Sequence, residues 1–89
     1  MTIYLLHFDK PISEHHTAQH YLGYSANLEA RLEEHAKGKG ARLTQVAIER
    51  NIGWTVAVTA EGDRTRERQV KNNNNLKQYC PICGGKRSL

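Results

Sequence analysis

HYLGYSANLEARLEEH (His20–His35) is the stretch whose reading decides the fold. His20–Tyr24 is aromatic and apolar enough for a short strand. Asn27 is a good N-cap, and Glu29 follows where the helix dipole favours an acid. The spacing predicts a helix from Leu28 to about Lys37, with Gly38 stopping it. A strand therefore leads almost directly into a helix. Leu28, Leu32 and Ala36 recur every four residues and are expected to form the buried stripe. Arg31 and His35 stand one turn apart on a neighbouring stripe, at the edge of that face. A side chain there can pack its stem and still reach a cleft. Glu33, Glu34 and Lys37 read as solvated.

Upstream, TIYLLHF (Thr2–Phe8) is β-branched, aromatic and apolar, and predicts a largely buried strand antiparallel to His20–Tyr24. Residues 9–19 between them, with a Pro and clustered polar side chains, read as a loop. Downstream, GKGARLT is a Gly-rich basic turn, and TQVAIERN fits either a short helix or a loop. GWTVAVTA (Gly53–Ala60) predicts a third strand, with Trp54, Val56 and Val58 alternating with smaller residues. Asp63 can cap a further helix. Arg64–Leu76 holds Val70 and Leu76 as its only large apolar residues and includes four consecutive Asn, so periodicity alone reads much of it as loop. The expected fold is α+β, a small three-stranded, mostly antiparallel sheet flanked by helices. Residues 1–78 are expected to form the domain, and residues 79–89 a tail carrying a CxxC knuckle.

The chain has 89 residues, 38% hydrophobic and 25% charged, as expected of one globular domain with a modest core. Thirteen Lys and Arg against nine Asp and Glu give a net charge of +4, which suits a polyanionic partner. MTIYLLHF is too short for a signal-peptide core and lacks a basic leader. No apolar run approaches the roughly 20 residues that span a bilayer. A cytoplasmic location without membrane partners is the expectation.

Several short motifs, in order, resemble the GIY-YIG nuclease domain. Ile3-Tyr4 stands in the first motif and Tyr21-Leu22-Gly23 in the second. NLEARLEEH resembles the helix that follows, with Arg31 at the arginine position and His35 one turn later. ERQVK (Glu67–Lys71) resembles the later helix that carries the metal-binding glutamate. Thr2 replaces the first motif's Gly, and the 9–19 loop is longer than usual. The resemblance covers about Thr2 to Leu76. It implies a DNA endonuclease of the kind used in DNA repair, with Tyr4, Tyr21, Arg31, His35 and Glu67 as catalytic residues.

These residue types suit phosphodiester hydrolysis. Glu67 would hold one Mg²⁺ or Mn²⁺, since Mg²⁺ keeps most of its waters and needs only one or two carboxylates. Arg31 would donate to a nonbridging oxygen as charge builds. Tyr21 would take a proton from the attacking water, its phenolate favoured by Arg31 or the metal. His35 would relay that proton. Tyr4 would orient the water or a phosphate oxygen. Each residue also has a plain structural reading: hydrogen-bonded sheet tyrosines, a cation at a helix C-terminus, and surface ion pairs of little energetic value.

Lys37, Lys39, Arg42 and Lys71 are the expected DNA contacts, with Arg64, Arg66 and Arg68 extending the basic surface. The turn's glycines would allow close approach to phosphates. Nothing in the chain specifies which DNA structure or sequence is cut, so selectivity could come from a protein partner. In CPICGG, Cys80 and Cys83 form half of a zinc site, and a closed structural site needs four ligands. His15 and His16 could supply the missing ligands if the long loop folds against the tail, or two chains could share one site, while His7 and His20 are expected to be committed to strands; the favoured expectation is an exposed vestigial knuckle with no metal. Two thiolates alone leave an ion open to water, so an isolated monomer is expected to hold no stoichiometric Zn²⁺. The alternatives to a nuclease are a catalytically inactive nucleic-acid-binding module on the same fold and a zinc-stabilised adaptor.

Overall fold

The structure is a computed structural model describing residues 1–11, 19–72 and 76–89. His15 and His16, and most of the Asn run, lie outside the described residues. Three strands, β1 (Thr2–Phe8), β2 (His20–Ser25) and β3 (Trp54–Glu61), form one sheet in the order β2-β1-β3, antiparallel throughout. β1 is central and covered on both faces, which explains its nearly unbroken apolar run. Ile3, Tyr4, Leu5, Leu6 and Phe8 are all fully buried.

Alternate residues of a strand share a face. Tyr4, Leu6 and Phe8 point to one side, and Ile3, Leu5 and His7 to the other. Phe8 belongs to a cluster with Ala47 and Ile52, flanked by Tyr21, Leu43, Val46 and Trp54. Ile3 and Leu5 belong to a second cluster with Leu22, Val70, Tyr79 and Cys80. The sheet is thus a middle layer between two helical coverings.

β3 departs from the expected even alternation. Leu5 pairs with Val58 but Leu6 pairs with Val56, so Ala57 is an extra residue in the ladder. The bulge sends Trp54 and Val58 to opposite faces. Trp54 meets Phe8 edge-on at 6.0 Å between ring centroids, whereas Val58 joins the Ile3–Leu5 cluster.

Helix α1 spans Leu28–Ala36, and the Asn27 side chain accepts from the Ala30 amide as expected. The buried stripe is not the one expected. Leu28 and Leu32 are only half-buried and Ala36 is exposed, while His35 has no exposed surface. The helix turns its Arg31–His35 row inward because a tyrosine and a threonine satisfy the histidine there. Helix α2 (Arg42–Glu49) resolves the helix-or-loop ambiguity and buries Thr44 and Ala47.

Helix α3 (Arg64–Lys71) occupies the segment that periodicity read largely as loop. Its start is set by Asp63, whose carboxylate accepts from the Thr65 and Arg66 amides. Val70 anchors it, fully buried against the second core cluster. Capping plus one deep anchor offset a weak apolar pattern. The helix ends before the Asn run.

Residues 79–89 do not hang free of the domain. Two short 3₁₀ turns, Leu76–Tyr79 and Pro81–Cys83, return the chain to the sheet. Tyr79 and Cys80 enter the core, and the Arg87 amide donates to the Gln78 carbonyl at 3.0 Å. Among the described residues, no helix is long and apolar enough to cross a membrane.

Candidate active site

The β1–β2 register places Tyr4 opposite Gly23 and Leu6 opposite Tyr21. Tyr4 and Tyr21 are therefore diagonal neighbours on one face, with ring centroids 6.1 Å apart. Gly23 lies between them. A Cβ on Gly23 would stand 2.6 Å from the Tyr4 hydroxyl and 2.9 Å from the Tyr21 ring. Glycine is required so that the Tyr4 ring can cross β2 toward the helix.

Beneath the surface the Tyr4 hydroxyl meets His35 Nε2 at 2.7 Å, and His35 Nδ1 meets Thr44 Oγ1 at 3.0 Å. The Thr44 hydroxyl donates its proton to the Ala41 carbonyl at 2.8 Å, so its oxygen is free to accept. His35 then carries its proton on Nδ1 and accepts from Tyr4 on Nε2. A longer 3.4 Å approach of the Ala41 amide to Nδ1 would require the other tautomer, and it is the weaker contact. Burial, followed by the nearby Arg31 charge, pushes the His35 pKa down, which keeps the ring neutral. Burial also pushes the Tyr4 phenol up to about 12, so it remains a donor.

Thr44 had no signal in the sequence, because a lone threonine in an ambiguous segment looks like any other. Gly40 makes room for the His35 ring, which a side chain at that position would overlap.

Arg31 extends from α1 beside the Tyr4 and Tyr21 hydroxyls. Its pKa is raised, chiefly by Tyr4 and further by Glu34 and Tyr21. It also donates to Glu34 Oε2 at 2.9 Å. Above this group an open cleft of about 600 Å³ wraps the β2 edge and is lined by Tyr21, Arg31, Glu34, Arg64, Glu67 and Lys71, among others. Glu67 reaches it from α3, on the opposite face of the sheet. Its side chain is only 12% exposed, with Lys71 Nζ 3.9 Å from its carboxylate.

The five residues assigned to catalysis thus divide into two layers. Tyr21, Arg31 and Glu67 line the cleft. Tyr4 and His35 lie below it without accessible surface, in positions to brace rather than to touch water. Tyr21 approaches the His35 ring edge-on at 5.5 Å, but both His35 nitrogens are already engaged, leaving neither for a proton from Tyr21. Of the expected DNA contacts, Lys71 lines the cleft. Lys37, Lys39 and Arg42 are exposed but are not among its lining, whereas Arg64 is.

A second cluster of chemically capable side chains lies at the other end of the β1–β2 pair. His7, His20, Cys80 and Cys83 each offer a donor atom within 4.8 Å of the others, a group able to hold a metal ion. Two expectations are thereby corrected. The CxxC knuckle is not an isolated half-site, and its nearby histidines are the strand residues His7 and His20. Antiparallel pairing puts His7 directly opposite His20, and both side chains leave the sheet on the face where the tail returns. Such donors are of the zinc-binding type rather than the oxygen donors of a Mg²⁺ or Mn²⁺ site. Comparison of the chain with protein-family models, curated proteins and solved structures finds no match.

Proposed function

We propose that this protein is a DNA endonuclease of the GIY-YIG type, hydrolysing phosphodiester bonds in the cleft along the β2 edge. The observation that carries the reading is the convergence of Tyr21, Arg31 and Glu67, from a strand and two helices on opposite sides of the sheet, on one basic cleft. Surface ion pairs alone would not need a tyrosine–arginine–glutamate set braced from below by Tyr4 and His35.

Glu67 has the donor chemistry for a magnesium-type ion, a carboxylate on the cleft wall. Mg²⁺ or Mn²⁺ at Glu67 would polarise the phosphate and stabilise the leaving oxygen. Arg31 exchanges Glu34 for a nonbridging phosphate oxygen, and its planar fork suits that partner. Tyr21 takes the proton of the attacking water after its own hydroxyl proton has passed to solvent in the open cleft. Neutral His35 fixes the Tyr4 hydroxyl, and Tyr4 in turn steadies Arg31. Lys71 and Arg64 hold flanking phosphates.

The test uses purified protein with linear, nicked and branched DNA in Mg²⁺ or Mn²⁺. Cleavage is expected, and Glu67→Ala should abolish it while leaving DNA binding nearly intact. Binding without cleavage by the parent protein under all these conditions would favour a nucleic-acid-binding module. Undiminished cleavage by Glu67→Ala would remove Glu67 from the mechanism.

A further inference from the structure

We propose that His7, His20, Cys80 and Cys83 of a single chain bind one structural Zn²⁺ ion, which fastens the C-terminal knuckle to the β1–β2 pair. The site is separate from the cleft and does not depend on the nuclease reading.

The distances are those of a coordination sphere. His7 Nδ1 and His20 Nε2 are 3.2 Å apart, Cys80 Sγ and Cys83 Sγ are each 3.5 Å from His7 Nδ1, and Cys83 Sγ is 3.4 Å from His20 Nε2. Zinc bonds of about 2.0–2.1 Å to nitrogen and about 2.3 Å to sulfur, set tetrahedrally, separate two nitrogens by about 3.3 Å and a nitrogen from a sulfur by about 3.5 Å. Hydrogen bonding alone explains the convergence poorly. One ring nitrogen, His7 Nδ1, faces three heteroatoms, yet it has either one proton or one lone pair to offer. A central cation satisfies all four donors together.

The donor set also selects the ion. Two thiolates and two neutral imidazoles form the Cys₂His₂ set of closed zinc sites. On binding, the two thiol protons leave to solvent. The four ligands then carry two negative charges against the ion's two positive ones, so a site that includes fully buried Cys80 is neutral overall. A two-iron cluster with the same ligands would put the histidines and cysteines on different metals. The short nitrogen–sulfur separations leave room for only one ion between them.

The knuckle is shaped for this. The Cys83 and Gly85 amides both donate to the Cys80 carbonyl, at 3.1 and 2.8 Å, folding the CxxC segment back on itself. His7 and His20 lie one step inside the neck of the long loop, where the Phe8 amide donates to the Gln19 carbonyl at 2.8 Å. One ion therefore joins the end of β1, the start of β2 and the tail. It also holds Tyr79, the residue before Cys80, against Val70 of the helix that carries Glu67.

The experiment is metal analysis of the full chain purified without chelator, with oligomeric state measured in parallel. One Zn²⁺ per monomer is expected, together with the visible absorption of a tetrahedral thiolate site after Co²⁺ substitution. Cys83→Ser and His20→Asn should each lose stoichiometric zinc and that spectrum. A His15→Ala/His16→Ala double variant should retain both. Stripping the metal should lower the thermal midpoint of the parent but not of Cys83→Ser. Parent protein that fails to bind Zn²⁺ or Co²⁺, one zinc shared by two chains, or zinc lost in the His15/His16 variant would each overturn the proposal. Should a single variant fail to fold, the parent's metal content and cobalt spectrum still decide.

Discussion

The Tyr4 hydroxyl and His35 Nε2 lie 2.7 Å apart, both fully buried, and this contact seats helix α1 on the sheet. Two polar groups do the work usually given to apolar side chains. Tyr4→Phe removes the donor and leaves His35 Nε2 without a partner. The expected destabilisation is about 1–3 kcal/mol, the cost of an unsatisfied buried polar group. Urea unfolding of the two proteins measures it, and equal midpoints would mean that the bond contributes nothing.

The same histidine gives stability a pH dependence. The folded pKa of His35 is lowered, so below the ordinary histidine range the unfolded chain takes up a proton that the native ring resists. Its contribution is fully present above the unfolded-state pKa of about 6.5 and is lost as pH falls through and below that value. Denaturation midpoints measured from pH 7.5 down to pH 5 should fall more steeply for the parent than for His35→Gln. Parallel curves would show that His35 titrates alike in both states.

Gly23 is the gap through which the Tyr4 ring crosses β2. Gly23→Ala forces the Tyr4 and Tyr21 rings apart, and overpacking of this kind costs roughly 1–3 kcal/mol. If the proposed function holds, cleavage should fall further than stability explains, since Tyr4 steadies Arg31. Thermal denaturation and cleavage assays at a temperature where both proteins are folded separate the two effects. An alanine variant as stable and active as the parent would show that the rings yield freely.

Arg31 is expected to act in the transition state more than in binding. Arg31→Ala should slow cleavage by roughly 10²–10³-fold, the loss of one oriented donor, and change DNA affinity much less. Arg31→Lys should restore only part of the rate, because a point charge does not reproduce the planar fork. Single-turnover kinetics with a separate binding titration test this. Weak binding with normal turnover would make Arg31 a DNA-binding residue.

Local features of the chain were legible because their causes are local. Thr2–Phe8 is apolar at nearly every position since a central strand is buried on both faces, and Asn27 and Asp63 cap helices through amides two or three residues away. The sequence therefore determined the strand–strand–helix beginning of an α+β fold. Tertiary structure alone decided which face of α1 turns inward. Leu28, Leu32 and Ala36 repeat correctly for a buried stripe, but the partners of His35 come from β1 and α2, and no helical period records them. Helix α3 likewise depends on Val70 finding the far side of the sheet. The ligand cluster is the clearest case. His7 and Cys80 are 73 positions apart, and spacing along a chain carries no information about that distance in space. Strand register sets His7 against His20, and the returning tail brings two thiols to them. Four donors converge there because three separate segments fold onto one face of one sheet.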